Sequence, residues 1–183
     1  MTHEWECVTR NPRQTWEVGR TLGHLLRAGD MVALLGPLGA GKTQLVKGLA
    51  VGSGVPDDEL VVSPTFVLVR EYAGHLRLYH IDAYRLTGAE ELTALGFDEL
   101  RERPDAAIVI EWADRVLDAI PPEACWVELQ HISPRRRHLH IRWSSGRVAE
   151  LAKYLTSLSE PGLWRPEAVD RRDDSPETNR RLE

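Results

Sequence analysis

Eight consecutive residues, Gly36-Pro37-Leu38-Gly39-Ala40-Gly41-Lys42-Thr43, follow the spacing GxxxxGK[ST], which is built to hold nucleotide phosphates. Gly36, Gly39 and Gly41 keep the loop free of bulky side chains, so backbone N–H groups can converge on the phosphates at the positive end of a helix. Lys42 brings a point charge to the β- and γ-phosphates, and Thr43 offers a hydroxyl to magnesium. Nucleotide hydrolysis also needs a carboxylate near the metal or the attacking water, usually at the C-terminal end of a neighbouring buried strand. Glu111 and Asp82 both follow apolar strand-like runs and are the candidates. Ser63-Pro64-Thr65 combines hydroxyls with a rigid turn, the composition of a segment that senses a γ-phosphate. Arg85 reads equally as a phosphate contact or as half of a surface ion pair. His80, in a strand two residues before Asp82, reads as a packing residue. No NKxD sequence occurs, which favours ATP over GTP as the nucleotide.

The elements that must hold these groups alternate between strands and helices. Met31–Leu35 is continuously apolar, as a strand covered on both faces should be, and feeds the loop. From Lys42 a helix runs with Leu45, Val46 and Leu49 on one face until Gly52-Ser53-Gly54 stops it. Upstream, Trp5–Thr9 alternates as a short strand. Asn11-Pro12-Arg13-Gln14 then supplies an N-cap, a first-turn proline and a glutamine for a helix reaching about Ala28, with Val18, Leu22, Leu25 and Leu26 buried and Gly29 as its stop. Phe66–Tyr72 and His75–Ile81 read as an antiparallel pair joined at Ala73-Gly74. Short helices over Ala89–Leu95 and Phe97–Arg101 flank Gly96, and Ala106–Ile110 is a second buried strand expected beside Met31–Leu35. Strands near Cys125–Leu129 and His138–Trp143 precede a last helix whose Val148, Leu151, Leu155 and Leu158 share a face. The expected result is an α/β domain over residues 1–158, a mixed sheet flanked by helices, followed by a poorly ordered, proline- and charge-rich tail over 159–183.

Composition narrows the setting. At 183 residues and 42% hydrophobic, the chain can bury a core without metals or disulfides. Cys7 and Cys125 form no CxxC or zinc spacing, which fits buried thiols in a reducing compartment. With no basic-then-apolar start and no membrane-length apolar window, the expected location is the cytoplasm, with no membrane partner. A net charge of -5 argues against a protein that clings to nucleic acid over its whole surface.

In order and spacing, the phosphate loop, Ser63-Pro64-Thr65-Phe66, His80-Ile81-Asp82-Ala83-Tyr84-Arg85-Leu86 and Glu111-Trp112-Ala113 resemble the TsaE (YjeE) family of bacterial tRNA threonylcarbamoyladenosine (t6A) biosynthesis ATPases. The resemblance covers about the first 150 residues. It implies a P-loop NTPase fold with a mixed, mainly parallel sheet. It also implies ATP and Mg2+ as ligands, and a complex of TsaD and TsaB as partner, with tRNA reached through that complex. Carried onto this chain, the family pattern makes Thr43 and Glu111 the magnesium ligands and Lys42, Asp82 and Glu111 the catalytic groups, with Asp82 a catalytic or magnesium-linked carboxylate and either Asp82 or Glu111 orienting the attacking water. Gly39, Ala40, Gly41, Lys42, Thr43 and Gln44 cradle the nucleotide, with Ser63, Thr65 and Trp112 beside it and Thr15 near the adenine. Arg135-Arg136-Arg137-His138 is more basic than the pattern requires and reads as the exposed end of a hairpin, a contact with tRNA or TsaD being the alternative. Two rival functions are a small-molecule kinase, with those arginines in a lid, and a nucleotide-dependent binding module in which hydrolysis is incidental.

Overall fold

The computed structural model describes residues 3–56, 61–64, 68–143 and 146–157. The expected tail 159–183 lies outside the described residues, as do Thr65, Phe66, Val67 and Leu158.

Strand β1 (His3–Thr9) leads into α1 (Pro12–Leu25). The start of α1 follows its sequence signature. Asn11 Oδ1 accepts from the Gln14 N–H at 3.0 Å, and Gln14 Oε1 accepts from the Arg10 N–H at 2.7 Å. Replacing Asn11 with alanine is expected to cost about 1 kcal/mol, read as a shift in the urea midpoint with unchanged slope. The helix stops at Leu25 rather than near Ala28. Leu26 turns extended (φ −67°, ψ 148°), and Asp30 closes the following turn by accepting the Arg27 N–H at 2.6 Å. Gly29, at φ +85°, therefore belongs to that turn and not to the helix end.

The chain continues through β2 (Met31–Leu35), α2 (Lys42–Gly52), β3 (Val69–Tyr72), β4 (Arg77–Asp82), α3 (Ala89–Ala94), α4 (Phe97–Arg101), β5 (Ala106–Glu111), β6 (Cys125–His131), β7 (Arg137–Trp143) and α5 (Arg147–Ser157). Two short 3₁₀ turns, Ala113–Arg115 and Leu117–Ala119, follow β5. Of the expected first strand of the β3–β4 hairpin, Phe66 and Val67 lie outside the described residues, Leu68 sits at φ +68°, and Val69–Tyr72 pair with β4.

One sheet carries all seven described strands in the order β1-β7-β6-β2-β5-β4-β3. Its centre, β6-β2-β5-β4, is parallel, and β7 and β3 join it antiparallel. Continuous apolar runs explain why β2 and β5 lie in the middle, since both faces are covered. Val32, Leu34, Val109 and Val127 face one core with α1, α2 and α5, whereas Met31, Ala33, Ile108 and Ile110 face a second with α3 and α4. Cys7 and Cys125 are both fully buried, and burial pushes both thiols well above their ordinary range.

Helices α1 and α2 meet backbone to backbone through four glycines. A Cβ on Gly19 would lie 2.1 Å from the Leu45 carbonyl oxygen, and one on Gly48 would lie 1.9 Å from that of Trp16. Gly23 and Gly52 repeat the arrangement one turn on, at 2.2 Å from Leu49 O and 2.1 Å from Arg20 O. The start of α2, and with it the phosphate loop, is thus fixed against α1 at a distance only glycine permits.

Candidate functional site

The loop after β2, the start of α2 and the C-terminal ends of β4 and β5 converge. Because β4 and β5 are parallel and in register, their last residues, Asp82 and Glu111, are direct neighbours. Gly36, Gly39 and Gly41 take φ values of +137°, +74° and +103°, the left-handed region in which glycine is unstrained. Lys42 is 4% exposed. Its Nζ donates to the carbonyls of Gly36 and Pro37 at 2.7 and 3.0 Å and lies 3.6 Å from the centre of the Trp112 ring. Burial pulls the Lys42 ammonium below its ordinary pKa, while the carboxylates of Glu111, Asp114 and Asp82 act to raise it.

The Thr43 hydroxyl lies 2.9 and 3.1 Å from the two oxygens of Glu111. On its other side Glu111 Oε1 is 2.9 Å from His80 Nε2, which must donate because the carboxylate accepts. His80 is fully buried, and its Nδ1 has no hydrogen-bond partner among the described residues. Asp82 is held differently. Its Oδ2 accepts from the Ser63 hydroxyl at 2.5 Å and its Oδ1 from the Tyr84 N–H at 3.0 Å. Just before Ser63, the Tyr72 hydroxyl donates to the Val62 carbonyl at 3.2 Å and so fixes the approach of that segment. Trp112 has φ +59°, uncommon for a bulky side chain, and its ring packs 4.9 Å from that of Tyr84.

These residues enclose a cavity of about 480 Å³ lined by the loop from Leu38 to Gln44 together with Ser63, Asp82, Tyr84, Glu111 and Trp112. Thr15 is brought to the other side of the loop. It lines an adjoining space of about 310 Å³ with Asn11, Gly41, Gln44 and Arg135, and its hydroxyl is 2.8 Å from that of Thr9. Gly39, Gly41 and Gln44 line both spaces. Thr65 lies outside the described residues, and Arg85 is exposed and does not line the main cavity. His80, read from the sequence as a packing residue, does more than pack. It orients a site carboxylate, and the signal was its position two residues before Asp82, on the same face of β4.

The donor set suits MgATP. A hydroxyl and two carboxylates are hard oxygen ligands of the kind magnesium takes, and glycine φ values open the loop to phosphates. Among the described residues no cluster of three or more His, Cys, Asp or Glu could hold a metal unaided.

Residues 9–139 match the family model described as threonylcarbamoyl adenosine biosynthesis protein TsaE. The chain is 38% identical over 135 residues to a Treponema pallidum protein named tRNA threonylcarbamoyladenosine biosynthesis protein TsaE, covering 74% of this chain and 98% of that one. A Bacillus subtilis protein of the same name is 32% identical over 154 residues, covering 84% and 93%. Among solved structures, Bacillus subtilis YdiB superposes with a TM-score of 0.69 at 28% identity, over 86% of this chain and 97% of that one.

Proposed function

This chain belongs to the TsaE family of tRNA threonylcarbamoyladenosine biosynthesis proteins, and on that footing we propose that it is an ATPase that docks on a complex of TsaD and TsaB. There it resets the complex between threonylcarbamoyl transfers to the adenosine next to the anticodon. The observation that carries the ATPase reading is the contact of Thr43, the last residue of the phosphate loop, with both oxygens of Glu111. It joins the two groups that hydrolysis requires.

In this reading the N–H groups from Gly39 to Thr43 bind the phosphates, and Lys42 lies against the β- and γ-phosphates after giving up its loop carbonyls. Thr43 and Glu111 would hold magnesium, which would supply charge neutralisation. His80 holds the Glu111 carboxylate in orientation, and Asp82, tied to Ser63, aligns the attacking water. Trp112 holds Lys42 in place, Thr15 and Gln44 border the space beside the loop assigned to adenine, and Thr65 belongs to the segment that follows Ser63. Residues 1–158 act as the ATPase domain and 159–183 as an appended tail, with tRNA reached through TsaD and TsaB. Among the described residues no helix is long and apolar enough to cross a membrane, and the cytoplasm is the proposed compartment.

Two measurements bear on this reading. His80→Phe keeps a buried flat ring but deletes the donor to Glu111. It is expected to weaken Mg2+ affinity in the ADP complex by about 10–100-fold, read by isothermal titration. The direct test of function is t6A formation on unmodified tRNA by TsaD and TsaB supplied with threonylcarbamoyl-AMP and ATP. Wild-type protein should extend the reaction beyond one round per TsaD, and Glu111→Ala should not. Equal support by the two proteins would remove hydrolysis from the reading and leave the nucleotide-dependent binding module.

A further inference from the structure

We propose that Arg137 is a positioning residue for the phosphate loop, clamping its outer side so that its N–H groups keep the orientation phosphates need. The proposal rests on the phosphate-binding reading above. With three of its residues glycines at positive φ, the loop has more backbone freedom than one built of ordinary residues, and that freedom must be removed for a preorganised anion site. Its carbonyls show how. Gly36 O and Pro37 O accept from Lys42, and Pro37 O also from the Ala40 N–H at 3.1 Å. Leu38 O lies 3.4 Å from His131 Nε2. Gly39 O and Ala40 O belong to Arg137, whose Nη2 and Nε donate to them at 3.3 and 3.0 Å.

The same guanidinium is anchored behind. Its Nη1 donates to Ser133 O at 2.9 Å and Arg136 O at 3.0 Å, with Pro134 O at 3.4 Å. Every nitrogen of the fork thus meets a main-chain carbonyl, and the β6–β7 turn is joined to the loop through one planar group. The register puts it there, since Arg137 opens β7 opposite Thr9 of β1 and His131 of β6. A trans peptide points its C=O and the following N–H in opposite directions. Tying Ala40 O to Arg137 therefore turns the Gly41 N–H away from the hairpin, and the same guanidinium borders the adjoining space of about 310 Å³ beside the loop. Lysine keeps the charge but not the fork. Arg137, which the sequence places in an exposed basic run, is half-buried and turned inward.

The test compares wild type, Arg137→Lys and Arg137→Gln by two readouts, hydrogen exchange of the peptide spanning 36–42 without nucleotide and MgADP affinity by calorimetry. Both variants should exchange about tenfold faster in that peptide, with exchange in α1 and β5 unchanged. Both should bind MgADP about tenfold more weakly, with lysine little better than glutamine. Unchanged loop exchange in both variants would overturn the clamp, and so would acceleration spread evenly over the domain, which marks a residue that merely supports the fold. If wild type binds no MgADP while the loop-specific exchange effect appears, the clamp stands and the nucleotide reading fails.

Discussion

Gly48→Val is expected to lose about 3 kcal/mol or more of folding stability, enough to leave much of a marginal domain unfolded at 37 °C. The reason is geometric. A single Cβ at Gly48 would stand 1.9 Å from Trp16 O and 2.8 Å from Arg20 N, both backbone atoms of α1 that no side-chain rotation can move. The helices must separate, and Leu22, Leu45 and Leu49, all fully buried, lose contact as they do. Leaving glycine in a helix interior returns at most about 1 kcal/mol through propensity, too little to offset the clash. Gly146→Ala is the control, since an added methyl there would meet nothing within 4 Å among the described residues and its φ is not in the left-handed region. It should change stability by less than about 0.5 kcal/mol. Equal urea midpoints for the two variants would show that α1 and α2 are not locked as described.

Lys42→Ala is expected to reduce ATP hydrolysis by on the order of 10²–10³-fold while the domain stays folded. Lys42 Nζ bonds loop carbonyls and lies on the Trp112 ring, so its removal leaves both hydrophobic cores intact. What disappears is a positive charge in a cavity that also holds Asp82 and Glu111. Without it, phosphates entering the site would face two buried carboxylates with less to balance them. Phosphate release at saturating MgATP measures the loss, and a thermal midpoint recorded beside it verifies that the variant is folded. A rate within twofold of wild type would remove Lys42 from the site.

The parts legible in sequence are those whose physics is local. Spacing alone marked the phosphate loop, the buried strands β2 and β5, and Glu111 at a strand end, because each depends on neighbours within one element. Asn11 and Gln14 marked the start of α1 for the same reason. Its end was harder to read, since Leu25 and Leu26 continue the apolar pattern although Leu26 is already extended. The two residues whose partners were missed act across the fold. His80 reaches Glu111 over 31 positions of sequence and Arg137 reaches Ala40 over 97, distances at which only strand register decides who meets whom. A histidine in an apolar strand looks like packing, and three consecutive arginines look like a solvated turn. The glycine contact between α1 and α2 did have a signal. Gly19 and Gly23, and Gly48 and Gly52, each recur at four-residue spacing, which puts each pair on one helix face.

Whether this site hydrolyses ATP in service of TsaD and TsaB is read from the steady-state ATPase rate of the protein alone and with purified TsaD and TsaB, with Lys42→Ala as control. The expected result is a slow rate alone, a strong rise on adding the two partners, and loss of both in Lys42→Ala. A wild-type rate that the partners leave unchanged, with no complex formed, would contradict it and return the kinase reading to consideration.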